Sequence, residues 1–95
     1  MRTAYLISNI EEYGKFISFC IHKDVSVFRS YWDERQKGKR CYCIDWSEKR
    51  CYYAHRSHYE VEGIPVVYPH FTLDQFGVWS VTPATPDKNK NENKE

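Results

Sequence analysis

Cys41, Cys43, Cys51, His55 and His58 fall within eighteen residues of one another, and thiolate with imidazole is the donor set of a tetrahedral zinc centre. Their spacing argues against one. Structural zinc sites present cysteines in Cys-x2-4-Cys knuckles, whereas a single residue separates Cys41 from Cys43. In the hairpin described below Cys51 faces away from both. A slip of one residue would bring Cys51 beside Cys43 and revive a metal site on Cys41, Cys43, Cys51 and His55. The expectation is no metal and no cofactor, with the cysteines as small core residues.

The second chemistry such residues invite is nucleophilic catalysis, with Cys51 beside His55 or His58. Thiol–imidazole pairs are usually assembled from distant segments, and no strained turn or glycine-rich oxyanion loop flanks any cysteine here. Glu11 and Glu12 stand where a helix should begin, and its dipole accounts for them. Glu60 reads as a cap. Neither Gly-x-Gly-x-x-Gly nor Gly-x4-Gly-Lys occurs, so no familiar phosphate-cradling loop is present. His22, His58 and His70 are isolated, and a lone histidine is usually a surface or satisfied residue. The expectation is a protein that is not an enzyme.

The richest stretch runs from Phe28 to Arg56. There Arg29, Arg35, Lys37, Lys39, Arg40, Lys49, Arg50 and Arg56 alternate with Tyr31, Trp32, Tyr42, Trp46, Tyr52 and Tyr53. Basic grooves with stacking rings bind single-stranded nucleic acid, but no strand carries the aromatic-glycine signature of the four-stranded RNA-binding sheet. Tyr, Trp and Arg are also the types enriched at protein-interface hot spots. The leading expectation is a binding protein that modulates or inhibits a macromolecular target, with a protein partner. The alternative is a single-stranded RNA or DNA binder. The expected contact set for either partner is Arg29, Tyr31, Trp32, Arg40, Tyr42, Trp46, Arg50 and Tyr52, with Trp46 on a turn where truncation opens no core cavity.

Charge is segregated along the chain. Residues 29–56 hold eight Lys/Arg and four Asp/Glu, a balance of +4, while residues 57–80 hold Glu60, Glu62 and Asp74 and no Lys/Arg, a balance of −3. Such asymmetry orients a partner electrostatically.

The elements that must carry these groups are legible in outline. Residues 3–8 are rich in strand formers. Asn9 followed by Glu12 is a capping box, after which Ile10, Tyr13, Phe16, Ile17, Cys20 and Ile21 form one apolar helical stripe. Gly14 weakens that helix by about 1 kcal/mol relative to Ala, and a strand over residues 16–22 is the competing reading. Residues 25–32 read as a strand, followed by a polar loop over residues 33–39, a first hairpin. Residues 40–46 then turn through residues 46–49 into residues 50–55. Pairing Asp45 with Arg50 places Tyr42 opposite Tyr53 and Ile44 opposite Cys51 on one face, with Cys43 opposite Tyr52 and Cys41 opposite Ala54 on the other.

Ser57 with Glu60 reads as a second capping box, and Gly63 as the end of the short helix it starts. A strand follows over residues 64–68, at an edge or beginning at Pro65. Thr72 and Gln75 suggest one more capped turn ended by Gly77, with a last strand over residues 78–81. The order β-α-β-β-β-α-β implies a small α+β fold: a mixed or antiparallel sheet of four to five strands with one main helix on one face. If the first two strands are parallel, their crossover is right-handed. Residues 1–83 are expected to form one compact domain, and residues 84–95, polar and charged, a disordered tail.

Ninety-five residues with 17% aromatic side chains suit a small core built largely from rings. No apolar run is long enough to span a membrane and no signal segment is visible, so no membrane partner, a cytoplasmic location and free thiols are expected. In size and layout the segment 4–16 (AYLISNIEEYGKF) through 25–28 (VSVF), with its strand-rich continuation, resembles the small accessory proteins of large tailed bacteriophages. That resemblance implies binding and inhibition or redirection of a host protein without catalysis, and it transfers no functional residue.

Overall fold

The computed structural model describes residues 1–27 and 32–84. Its elements are β1 (Arg2–Tyr5), α1 (Ile10–His22), a 3-10 turn (Glu34–Gln36), β2 (Arg40–Asp45), β3 (Arg50–His55), α2 (Arg56–Val61), β4 (Val66–Leu73) and β5 (Trp79–Ala84). The strands make one mixed sheet in the order β3-β2-β1-β4-β5. β1 runs parallel to β4 and antiparallel to β2, so the handedness rule for parallel crossovers does not apply to the first two strands. The α+β class and mixed sheet expected from the sequence are those observed.

β1 is central because Ala4, Tyr5, Leu6 and Ile7 form an unbroken apolar run that can be buried on both faces. Tyr5 and Ile7 face α1, where they join Phe16, Phe19, Cys20, Tyr42, Ile44 and Phe71. Phe71 sits among the rings, with centroids 6.0 Å from Tyr5, 5.8 Å from Phe16 and 5.3 Å from Phe19. Ala4 and Leu6 point the other way, into a second cluster with Cys41, Cys43, Tyr59 and Ile64 beneath α2. The two helices therefore cover opposite faces of the sheet.

α1 starts as its cap predicts, with Asn9 Oδ1 accepting the Glu12 N–H at 2.8 Å. Both helices end alike. In α1 the Val25 N–H donates to Cys20 O at 2.8 Å and Asp24 N–H to Ile21 O at 3.1 Å; in α2 Ile64 N–H donates to Tyr59 O at 2.9 Å and Gly63 N–H to Glu60 O at 3.1 Å. This is the Schellman motif, in which an apolar residue just past the helix packs back on its last turn. The residue after each cap must be left-handed. Gly63 takes that role at φ 75°, whereas α1 uses Asp24 at φ 61° and carries the strain of a Cβ there.

Four local expectations are corrected. The segment expected as a strand over residues 25–32 contributes, among the described residues, one parallel bridge from Ser26 to Arg50, and residues 28–31 lie outside the described residues. The polar loop after it holds the 3-10 turn, capped by Asp33. The N-cap of α2 is His55, not Ser57: Nδ1 accepts the Ser57 N–H at 3.2 Å, and Glu60 instead pairs with Arg56 at 3.4 Å. Thr72 lies within β4, and the turn after it is capped by Asp74, whose Oδ1 accepts from Phe76 N and Val78 N at 2.8 and 2.9 Å. β4 begins just after Pro65, as its missing donor requires, and residues 85–95 lie outside the described residues.

Gly14 is exposed within α1, and a Cβ built there meets nothing within 4 Å. Gly14→Ala should therefore raise stability to urea by about 1 kcal/mol. Asp24→Gly should add about 1 kcal/mol by relieving the left-handed strain. Loss of stability in either variant would contradict the helix or its terminal motif.

Candidate functional site

The β2–β3 hairpin has the register that cross-strand chemistry predicts, Asp45 opposite Arg50, Tyr42 opposite Tyr53 and Ile44 opposite Cys51. The Asp45 carboxylate closes the connection by accepting the Ser47 N–H at 3.0 Å and the Glu48 N–H at 3.1 Å. Lys49, at φ 58°, completes the reversal.

This register divides the expected contact set. Arg40 and Tyr42 point toward α1, while Arg50 and Tyr52 point to the opposite face. Tyr42 is 2% exposed and belongs to the core, so its ring is not displayed. Its hydroxyl meets Tyr53, and burial first, then the neighbouring tyrosine rings, hold it protonated far above the ordinary tyrosine range. Trp46 also turns inward, meeting Phe19 edge to face at 6.1 Å, with the Lys49 ammonium 5.8 Å above its ring. Its place on a turn did not free it from packing. Tyr52 is 43% exposed and donates its hydroxyl to Glu48 at 2.7 Å beside Arg50. Arg29 and Tyr31 lie outside the described residues.

What the fold does bring together is a shallow surface cleft lined by Ile7, Trp32, Asp33, Gln36, Lys37, Arg40, Tyr42 and Tyr53. The Tyr42 and Tyr53 rings, 4.8 Å apart, form its floor. The Arg40 guanidinium lies over Tyr53 at 5.3 Å, and Trp32, tilted against Tyr13 with ring centroids 5.8 Å apart, also lines it. The other charges of the cleft are already engaged. Glu34 accepts from the Trp32 indole and from Lys37, both at 2.9 Å, and Asp33 accepts from Arg35 N at 3.0 Å and Arg35 Nε at 3.3 Å. Those hydrogen bonds hold both carboxyls below the usual carboxylate range. Arg40 forms no ion pair among the described residues. Tyr53, Gln36 and Lys37 were absent from the expected set, although the Tyr42–Tyr53 register already placed Tyr53 beside its partner.

Cys41 and Cys43 are buried under α2, and Cys51 lies on the other face, so the hairpin separates the thiols that a zinc site would join. Among the described residues no cluster of His, Cys, Asp or Glu could hold a metal. No helix among them is long and apolar enough to cross a membrane. The chain matches no protein-family model, no curated protein and no solved structure.

Burial pushes the Cys43 thiol up to about 11 and the Cys41 and Cys51 thiols to about 12, and Cys20 higher still. A thiol in an unfolded chain ionises near ~8.5, so above that pH the unfolded state releases protons that the folded state keeps. Stability from the buried thiols is complete below ~pH 8.5 and falls as pH rises toward the raised values. Urea midpoints should accordingly drop between pH 9 and 11, and a thiol reagent at pH 8 should label the buried Cys20, Cys41 and Cys43 only after unfolding. Rapid labelling of those three in the native chain would contradict their placement.

Proposed function

We propose that this protein is a non-enzymatic binding protein that modulates a macromolecular target, a protein, through the cleft between the 3-10 turn and the β2–β3 hairpin. The observation that carries this reading is the Arg40 guanidinium, 5.3 Å over the Tyr53 ring and without an ion pair among the described residues, with Trp32 beside it. Arg, Tyr and Trp anchored on a rigid sheet are the makings of an interface hot spot. A guanidinium already held against a ring loses less entropy when it meets a carboxylate. An acidic side chain on the partner supplies the complementary charge.

A single strand of RNA or DNA is the competing ligand, since Arg40 on Tyr53 is also a stacking platform. Such ligands need a run of unpaired cations along the backbone, and here Asp33 and Glu34 already occupy Arg35 and Lys37, and Glu60 occupies Arg56. That internal neutralisation favours the protein partner.

The test is affinity capture with the full chain and with Arg40→Ala, before and after nuclease treatment. Arg40 is partly exposed and unpaired, so the variant should fold normally by circular dichroism. Capture should survive nuclease, tolerate moderate salt, and weaken by more than about 1 kcal/mol in the variant. Release by nuclease, together with oligonucleotide affinity that falls steeply with log salt, would replace the protein reading with the nucleic-acid one. Undiminished capture by Arg40→Ala would remove the cleft from either.

A further inference from the structure

The two edges of the sheet are finished differently. Along β3, Ser26 lies against the outer backbone, donating its N–H to Lys49 O at 2.8 Å and accepting from Cys51 N at 2.9 Å. β5 has no such cover among the described residues.

The groups β5 turns outward follow from its ladder with β4. Pro69 faces Pro83, and as neither has an N–H, theirs is a non-hydrogen-bonded pair. Asp74 N–H donates to Val78 O at 3.1 Å, which puts the even-numbered residues of β5 in the bonded positions. Trp79 and Val81, in step with Pro83, therefore direct both N–H and C=O away from β4. A row of this kind is a template for another strand.

The chemistry of that row narrows the partner. Residues 78–84 contain no charged side chain, although lysines are a usual means of blocking an edge. The basic residues lie near the opposite edge of the sheet, so two copies can approach through β5 without facing their main positive charge. Trp79 and Val81 are only half covered at the margin of the α1-side core, and Val78 is 41% exposed on the other face.

We infer that β5 pairs antiparallel with β5 of a second copy about a two-fold axis at Ser80. In that register Trp79 meets the partner's Val81 and Val81 the partner's Trp79. The outward N–H and C=O groups of both residues are all satisfied, and the α1-side face gains two aromatic–β-branched pairs. Pro83, which lacks an N–H, falls outside the bonded block. Val78 comes to lie opposite the partner's Thr82. Ser80 lies opposite the partner's Ser80 in a non-hydrogen-bonded pair, where Cα atoms are only about 4.5 Å apart. This surface is distinct from the Arg40 cleft and does not depend on it.

Sedimentation of the full chain over a concentration series tests the inference. Mass should rise from 11.4 kDa to twice that value, and exchange of the Trp79 and Val81 amides should slow as concentration rises. Ser80 is exposed, so Ser80→Lys and Ser80→Glu should fold, yet each places like charges against each other and should weaken association by about tenfold or more. An equimolar mixture of the two variants should recover it. A monomeric wild-type chain throughout the series, unprotected Trp79 and Val81 amides, undiminished association of either variant, or a monomeric mixture would overturn the inference.

Discussion

The constraint on which the rest depends is that β2 is buried on both faces. Tyr42 and Ile44 lie under α1 and Cys41 and Cys43 under α2, so the strand has no freedom to slip: moving it by one residue would put two thiols in the α1-side core and a ring and an aliphatic side chain in the other. The Asp45 carboxylate, accepting two turn amides, locks the same register from the hairpin end. The burial of Cys41 and Cys43, the sunken Tyr42 ring and the separation of Arg40 from Arg50 are all consequences of that one pairing.

Much of this was legible locally. Asp45 against Arg50 identified the hairpin register, Asn9 with Glu12 the start of α1, and Gly63 the end of α2, because each depends on residues a few positions apart. The errors came where a decision depended on something distant or on an unusual residue. Ser57 looked like a cap because serine commonly is one, but the imidazole of His55 offers the same acceptor two residues earlier. Tyr42 and Trp46 looked like display residues because their burial is decided by Phe16 and Phe19 on α1, which local alternation does not reveal. The centre of the sheet was equally hidden, since Ala4 pairs with Val66 across most of the chain.

The candidate cleft is a product of the same geometry. Its floor exists because Tyr42 and Tyr53 are opposite each other, and Arg40 reaches Tyr53 because both project from the same face. Asp33 and Glu34 do not enter as acids awaiting a ligand; they hold the 3-10 turn and Trp32 in place by neutralising their own neighbours. Of the basic residues over 29–56, Arg35, Lys37 and Arg56 are thus ion-paired within the chain, while Arg40 is held by Tyr53.

The most direct test of the account is the cross-strand Hα–Hα nuclear Overhauser pattern of the hairpin. Because Cys51 N–H points outward to Ser26, the close Hα pairs should be Tyr42 with Tyr53 and Ile44 with Cys51. Strong contacts at those two pairs are the predicted result. A close contact placing Cys51 opposite Cys43 would contradict it, exchange the two faces of the hairpin, and dissolve the cleft.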